Sequence, residues 1–274
     1  RRTAAVAGLL GLALCVAPPA NAGQPYTTPD GTPIFWPEDT MHYRIHPDLP
    51  DGLEAGAVQE ATDRGFDAWE KIACQPLVLD AEPAATCPGE DPEDGVNCIR
   101  WRDRAELWAW PGHLVAITLV HYWEDTGVIE DVDMDINAFN FTWSTDLECQ
   151  EEHHDLVATI THEAGHFLGL DHSLEGHATM NASTTEGDCQ KRSLAEDDEA
   201  TFCGTYENRP DVTNPEPAGD LSIVELDAGG DTASAESQDG PSGSTGPGDD
   251  CQGCRGATAT PWFSLWALTA WLRS

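Results

Sequence analysis

Positive charge is scarce in this 274-residue chain: 13 Lys+Arg stand against 49 Asp+Glu, for a formal net charge of −36. Such a surface repels polyanions, which excludes nucleic acid as a partner, and its self-repulsion favours a soluble monomer. The same carboxylates can draw Ca²⁺ or cationic substrates, or can form a solvated acidic exterior. Long apolar runs are also lacking. The stretches Ala4–Ala17 and Pro261–Leu272 both fall short of the ~20 residues that span a bilayer, so neither reads as a transmembrane helix. None of the nine cysteines pairs in the spacing of a structural zinc ribbon. What is present is a hydrophobic fraction of 40%, enough for one core.

Composition divides the chain. Arg1-Arg2, the apolar run after them and Ala20-Asn21-Ala22 have the basic start, short hydrophobic centre and A-x-A exit of a secretory signal, residues 1–22, cleaved after Ala22. Export brings an oxidising compartment, and the six cysteines from Cys74 to Cys203 then suggest three disulfides whose pairing the sequence does not select; Cys87 can join Cys98 or Cys74. Residues 23–40, rich in Pro, Gly and Thr, read as an irregular lead-in, and 41–208 as the folded domain. Residues 209–250 read as an acidic disordered linker, since 211–250 hold ten acidic residues, no Lys or Arg and no aromatic, too little to bury. Finally, 251–274 carry Cys251-Gln252-Gly253-Cys254, an apolar run with three tryptophans, and Arg273. That order resembles the C-terminal sorting signals of myxobacterial surface proteins. It implies a secreted or surface-displayed protein, anchored at the outer membrane, whose tail makes transient contact with membrane or sorting machinery. A redox Cys-x-x-Cys is the competing reading.

Within the domain, Met41–His46 alternates as a first strand, and Val58, Ala61, Gly65, Trp69 and Ile72 recur at helical spacing from Leu53 to Ala73. Gln75–Leu79, Cys98–Arg102, Leu114–Trp123 and Val128–Phe141 read as further strands. On the last, Asp131, Asp133 and Asp135 occupy alternate positions and share one face, where three like charges require a cation or solvent.

The chemistry concentrates in His162-Glu163-Ala164-Gly165-His166-Phe167-Leu168-Gly169-Leu170-Asp171-His172, which reads H-E-x-x-H-x-x-G-x-x-H. On a helix, His162 and His166 lie one turn apart on one face and can hold one metal ion between them. Gly169 can adopt the left-handed conformation that ends a helix and returns His172 as a third ligand. Three protein ligands leave one tetrahedral position for water, the catalytic arrangement of zinc, and the metal lowers that water's pKa to roughly 7. Glu163, beside the first ligand, can take the water's proton as general base and return it to a leaving amine.

This motif resembles that of the metzincin metallopeptidases. His172-Ser173 followed by Ala178-Thr179-Met180 is similar to the matrixin branch, as are Phe66-Asp67-Ala68-Trp69 and the stretch from Leu194 to Tyr206; the resemblance covers roughly residues 35 to 206. It implies an α+β catalytic domain: a twisted, mixed five-stranded sheet, two long helices, a Met-turn at Met180 and a C-terminal helix. It implies that Met180 lies beneath the zinc without ligating it, and that Asp197 or Asp198 supports the turn. It makes the fourth strand, Leu114–Trp123, an antiparallel edge facing the cleft, able to accept an extended substrate. It also makes Asp131, Asp133 and Asp135 candidates for calcium, although a full set of six to eight oxygens is not evident. Cys87-Pro88-Gly89 has a likeness to the family's latency motif, in which a thiolate occupies the zinc. His153, His154 and His177 read as surface histidines. The implied function is a zinc-dependent endopeptidase acting on protein substrates; the alternative is a non-catalytic surface binding module that keeps the zinc fold, and Glu163 argues for the enzyme.

Overall fold

In the computed structural model, residues 23–83, 87, 94–146, 148–207, 209–210 and 219–230 are described. The secretory signal at 1–22, most of the acidic linker, and the cysteine motif and apolar run at 251–274 lie outside the described residues. The chain divides into Arg1–Ala233 and Ser234–Ser274, and all that follows concerns the first. Among the described residues no helix is long and apolar enough to cross a membrane.

The elements follow as β1 (Thr40–Ile45), α1 (Ala55–Glu70), β2 (Val78–Ala81), β3 (Cys98–Arg102), β4 (Leu114–Trp123), β5 (Ile129–Asn137), β6 (Trp143–Ser144), β7 (His154–Asp155), α2 (Leu156–Phe167), β8 (Ser183–Thr184), a 3₁₀ turn at Gln190–Arg192, α3 (Glu196–Tyr206) and β9 (Leu221–Gly230). The main sheet runs β2-β1-β3-β5-β4-β9-β8. Its first five members are parallel except β4, which is antiparallel to β5. The class is α+β with a mixed sheet, as the sequence implies.

The sheet is wider than five strands, and the reason lies in the acidic segment. Leu221-Ser222-Ile223-Val224-Glu225-Leu226, with four apolar residues in six, pairs antiparallel with β4, from Trp123↔Leu221 to Leu114↔Gly229. Two expectations are thereby corrected: residues 221–230 are a strand rather than tether, and β4 is not an edge. Every residue of β4 but Trp123 is buried, as befits a strand covered on both sides.

The core is aromatic and gathers on α2. α1 lies against it at Gly65, where a Cβ would sit 2.5 Å from Ile160 Cγ2, so only glycine permits this approach. Three side-chain donors fasten the α2 backbone: Trp69 Nε1 to the Thr161 carbonyl at 2.8 Å, Trp36 Nε1 to Phe167 at 2.8 Å, and Tyr206 OH to Leu168 at 2.9 Å. α2 itself begins at Asp155, whose carboxylate accepts the Ala158 N–H at 2.8 Å and pairs with Arg192. Its Leu156, Ile160 and Phe167 face the core.

Three disulfides, Cys74–Cys203, Cys87–Cys98 and Cys149–Cys189, resolve the open pairing. Cys74–Cys203 ties the end of α1 to α3, and Cys149–Cys189 ties the approach to α2 to the turn behind it. Cys87 is therefore bonded, which removes it as a thiolate for the metal. His154 is also unlike its reading: it is buried between Phe141 and Trp143, at ring distances of 4.7 and 5.8 Å, while His177 is exposed.

Candidate metal centre

His162 and His166 project from the same face of α2, and the helix ends one residue later, at Phe167. Gly169 has φ +79°, and a Cβ there would meet the Ile34 carbonyl oxygen at 2.7 Å, so the turn requires glycine on both counts. The chain reverses and brings His172 back. The three Nε2 atoms converge, 3.1 Å from His166 to His162 and 3.2 Å from His166 to His172.

The tautomers follow from the neighbours. His162 Nδ1 donates to the Thr179 carbonyl at 2.6 Å and His166 Nδ1 to the Leu170 carbonyl at 2.8 Å, since a carbonyl can only accept. Both Nε2 atoms then carry lone pairs, aimed at each other on two buried imidazoles, an arrangement that a cation relieves. Tetrahedral Zn–N bonds of about 2.0–2.1 Å place ligand nitrogens about 3.3 Å apart, close to the observed separations. Burial holds His162 and His166 well below the usual imidazole range and lowers His172 as well, so all three are neutral, as metal ligands must be. Among the described residues this is the one group of three or more His, Cys, Asp or Glu placed to hold a metal ion.

Glu163 lies on α2 beside the first imidazole, fully buried. Its Oε2 accepts the Thr118 hydroxyl from β4 at 2.5 Å, and its Oε1 is buried without a hydrogen-bond partner. Desolvation pushes its carboxyl up to about 8 against the pull of Thr118, with Asp227 adding to the rise and Lys191 opposing it. Thr118, Lys191 and Asp227 went unnoticed in the sequence. Thr118 sits mid-strand, where alternation alone cannot reveal a partner on a distant helix. Lys191 is a buried lysine whose Nζ donates to the Asn181 carbonyl, and desolvation lowers it to about 8.

Met180 is buried against α2 at Gly165, one residue before His166. Its Sδ lies 2.2 Å from where a Cβ on Gly165 would be, so the thioether occupies the space that this glycine leaves under the helix. Of the two acids at the start of α3, Asp198 holds the turn: its Oδ2 accepts the Thr179 N–H at 2.7 Å and its Oδ1 the Met180 N–H at 2.9 Å. Asp197 instead accepts the Gly23 N–H, at 3.1 and 3.0 Å, and the Ser173 hydroxyl at 2.5 Å.

Asp131, Asp133 and Asp135 do not come together as a metal-holding group. Their counter-charge comes from β3: Arg100 pairs with Asp133 at 2.7 Å and Arg102 with Asp135 at 2.9 Å, all four side chains buried. Asp131, fully buried, is pushed up to about 7 by desolvation and by the nearby charges of Asp133 and Asp94.

A family model described as Matrixin, of the peptidase M10 type, matches residues 35–207. No curated protein matches the chain.

Proposed function

The chain belongs to the matrixin family of zinc metalloendopeptidases, and from that premise we propose that it is an exported endopeptidase in which Glu163 is the general base and His162, His166 and His172 hold the zinc. Held by His162, His166 and His172, zinc would supply a Lewis acid for polarising a substrate carbonyl and acidifying water. The remaining work falls to the chain's own groups. Glu163 Oε1 is the free acceptor beside the imidazoles; it takes a proton from the attacking water and delivers it to the amide nitrogen as the C–N bond breaks. Thr118 fixes the other oxygen, so the carboxylate keeps one orientation through both transfers. Asp198 and Met180 keep the turn in place, and Thr179 with it, so that His162 retains the tautomer with its lone pair at Nε2.

The observation that carries this reading is the pairing of three converging neutral imidazoles with a buried carboxylate oxygen that has no partner of its own. A binding module has no use for that costly oxygen. Export to the medium or the cell surface is supported by the A-x-A segment before Gly23 and by the disulfides. The test is to incubate the purified protein with a denatured protein mixture, with and without chelator, and map new termini. New termini that vanish with chelator are expected; none in either arm would favour the non-catalytic module.

A further inference from the structure

Extended substrates bind a sheet edge by adding a strand, so a peptidase of this build needs the outer flank of β4 open. In this chain β9 already lies there. It is antiparallel to β4 along its whole length, and on its other side parallel to β8, with Ser183↔Gly229 and Thr184↔Gly230 in register and the Gly229 N–H donating to the Ala182 carbonyl at 3.0 Å. It thus lies between β4, whose Thr118 holds Glu163, and β8, which follows the turn at Met180. Its side chains alternate as a docked strand's should: Val224, Leu226 and Ala228 are 9%, 5% and 1% exposed, while Ile223 is 49% exposed. Val224 and Leu226 belong to the main core.

The strand also passes the chemistry. On β4, Thr118, whose hydroxyl donates to Glu163 Oε2 at 2.5 Å, is in register with Leu226, and its neighbour Ile117 with Asp227. The Leu226–Asp227 stretch therefore runs alongside the β4 residue that touches the general base, on the flank where an added substrate strand would pair.

We propose that residues 221–230 are a built-in occupant of the substrate groove, which keeps the enzyme latent until the strand is displaced. This rests on the peptidase reading above. Because the strand is tethered to the domain, its effective concentration is on the order of mM, so it stays docked wherever its intrinsic Kd lies well below that. An incoming substrate must wait for the minor open state.

Two full-length proteins test this: Val224→Ser/Leu226→Ser, and the otherwise unaltered chain with a specific protease sequence placed between Pro210 and Gly219, assayed before and after cutting. Hydrolysis of an unfolded protein and hydrogen exchange at the β4 amides are read together. The expected result is a rise in hydrolysis of about 10–100-fold in both, faster exchange along Ala116–His121, and restoration of latency and protection by a synthetic peptide of residues 219–230. Equal hydrolysis in the opened and unopened forms would overturn the proposal while leaving the peptidase reading intact. So would self-cleavage within β9 as fast as that of added protein, since the strand would then be a substrate. Freed β4 amides with no hydrolysis in any form would overturn both. The uncut chain controls for folding, since nothing within the described domain is changed in it.

Discussion

Replacing Asp198 with alanine removes one carboxylate and strands three backbone donors. Asp198 accepts the N–H groups of Thr179, Met180 and Ala195, at 2.7, 2.9 and 2.8 Å. Thr179 and Met180 are 0% and 2% exposed, so their donors have no ready route to water, whereas Ala195 at the head of α3 is only half-buried and can be rehydrated. An orphaned buried donor costs about 1–3 kcal/mol, which puts Asp198→Ala at about 2–6 kcal/mol of stability. Water entering the space of the lost carboxylate would pull the loss toward the lower end. The same turn carries the Thr179 carbonyl that fixes His162, so a loosened turn should also weaken zinc binding by about 10–100-fold, the usual worth of a group that orients a ligand. Urea unfolding of the full chain, with and without zinc, measures the first quantity, and competition with a chromophoric chelator the second. Asp198→Asn should fall between, because an amide has one accepting oxygen and must turn its NH₂ toward a donor. A change of less than about 0.5 kcal/mol with unaltered zinc affinity would refute the reasoning, since such a value is ordinary for a surface substitution.

Arg100→Met should cost about 3–5 kcal/mol in urea unfolding, because it leaves Asp133 charged and buried without its guanidinium; an unchanged midpoint would mean that this pair contributes nothing. Asp131 gives a pH signature. Its carboxyl moves from an ordinary 3.8 to about 7, so the folded protein binds more protons through that window, and the stability present below the lower value is lost as pH rises toward the upper one. Asp131→Asn should flatten that loss, raising the unfolding midpoint at pH 8 relative to the parent far more than at pH 5; an equal shift at both would point to packing. Gly165→Ala should destabilise the protein and disturb the metal site, because the new methyl group would meet both Met180 Sδ and the Trp69 ring, at 2.2 and 2.8 Å; unchanged melting and zinc content would show that the floor yields freely.

The metal centre was legible because its geometry is local. An i, i+4 pair, a glycine and a third histidine are all set by one helix and its end, and helical spacing translates directly into a shared face. The strands β3 and β4 were read with their observed bounds for a similar reason: β4 is a compact apolar run and β3 a short segment in which Ile99 and Trp101 alternate with arginines, each bounded by turn residues. What the sequence hid was partnership across distance. Arg100 and Arg102 alternate on β3 just as Asp133 and Asp135 alternate on β5, yet only the parallel pairing of those strands turns two patterns into two ion pairs, which give two of the three aspartates their counter-charge. Thr118 and Glu163 met across the fold in the same way. The miss at β9 has another cause. Leu221 to Leu226 holds four apolar residues in six without a clean alternation, and it sits in an acidic Gly-, Pro- and Ser-rich stretch whose composition, averaged over forty residues, drowned a patch six residues long.

The most direct test of the central claim is Glu163→Ala in the opened enzyme, read as zinc content and hydrolysis together. The three histidines are untouched, so the variant should keep about one equivalent of zinc and its fold, while hydrolysis should fall by about 10² or more, the worth of a positioned general base. Turnover retained at the parent's rate with zinc in place would contradict the assignment of Glu163, and would mean that another group moves the proton.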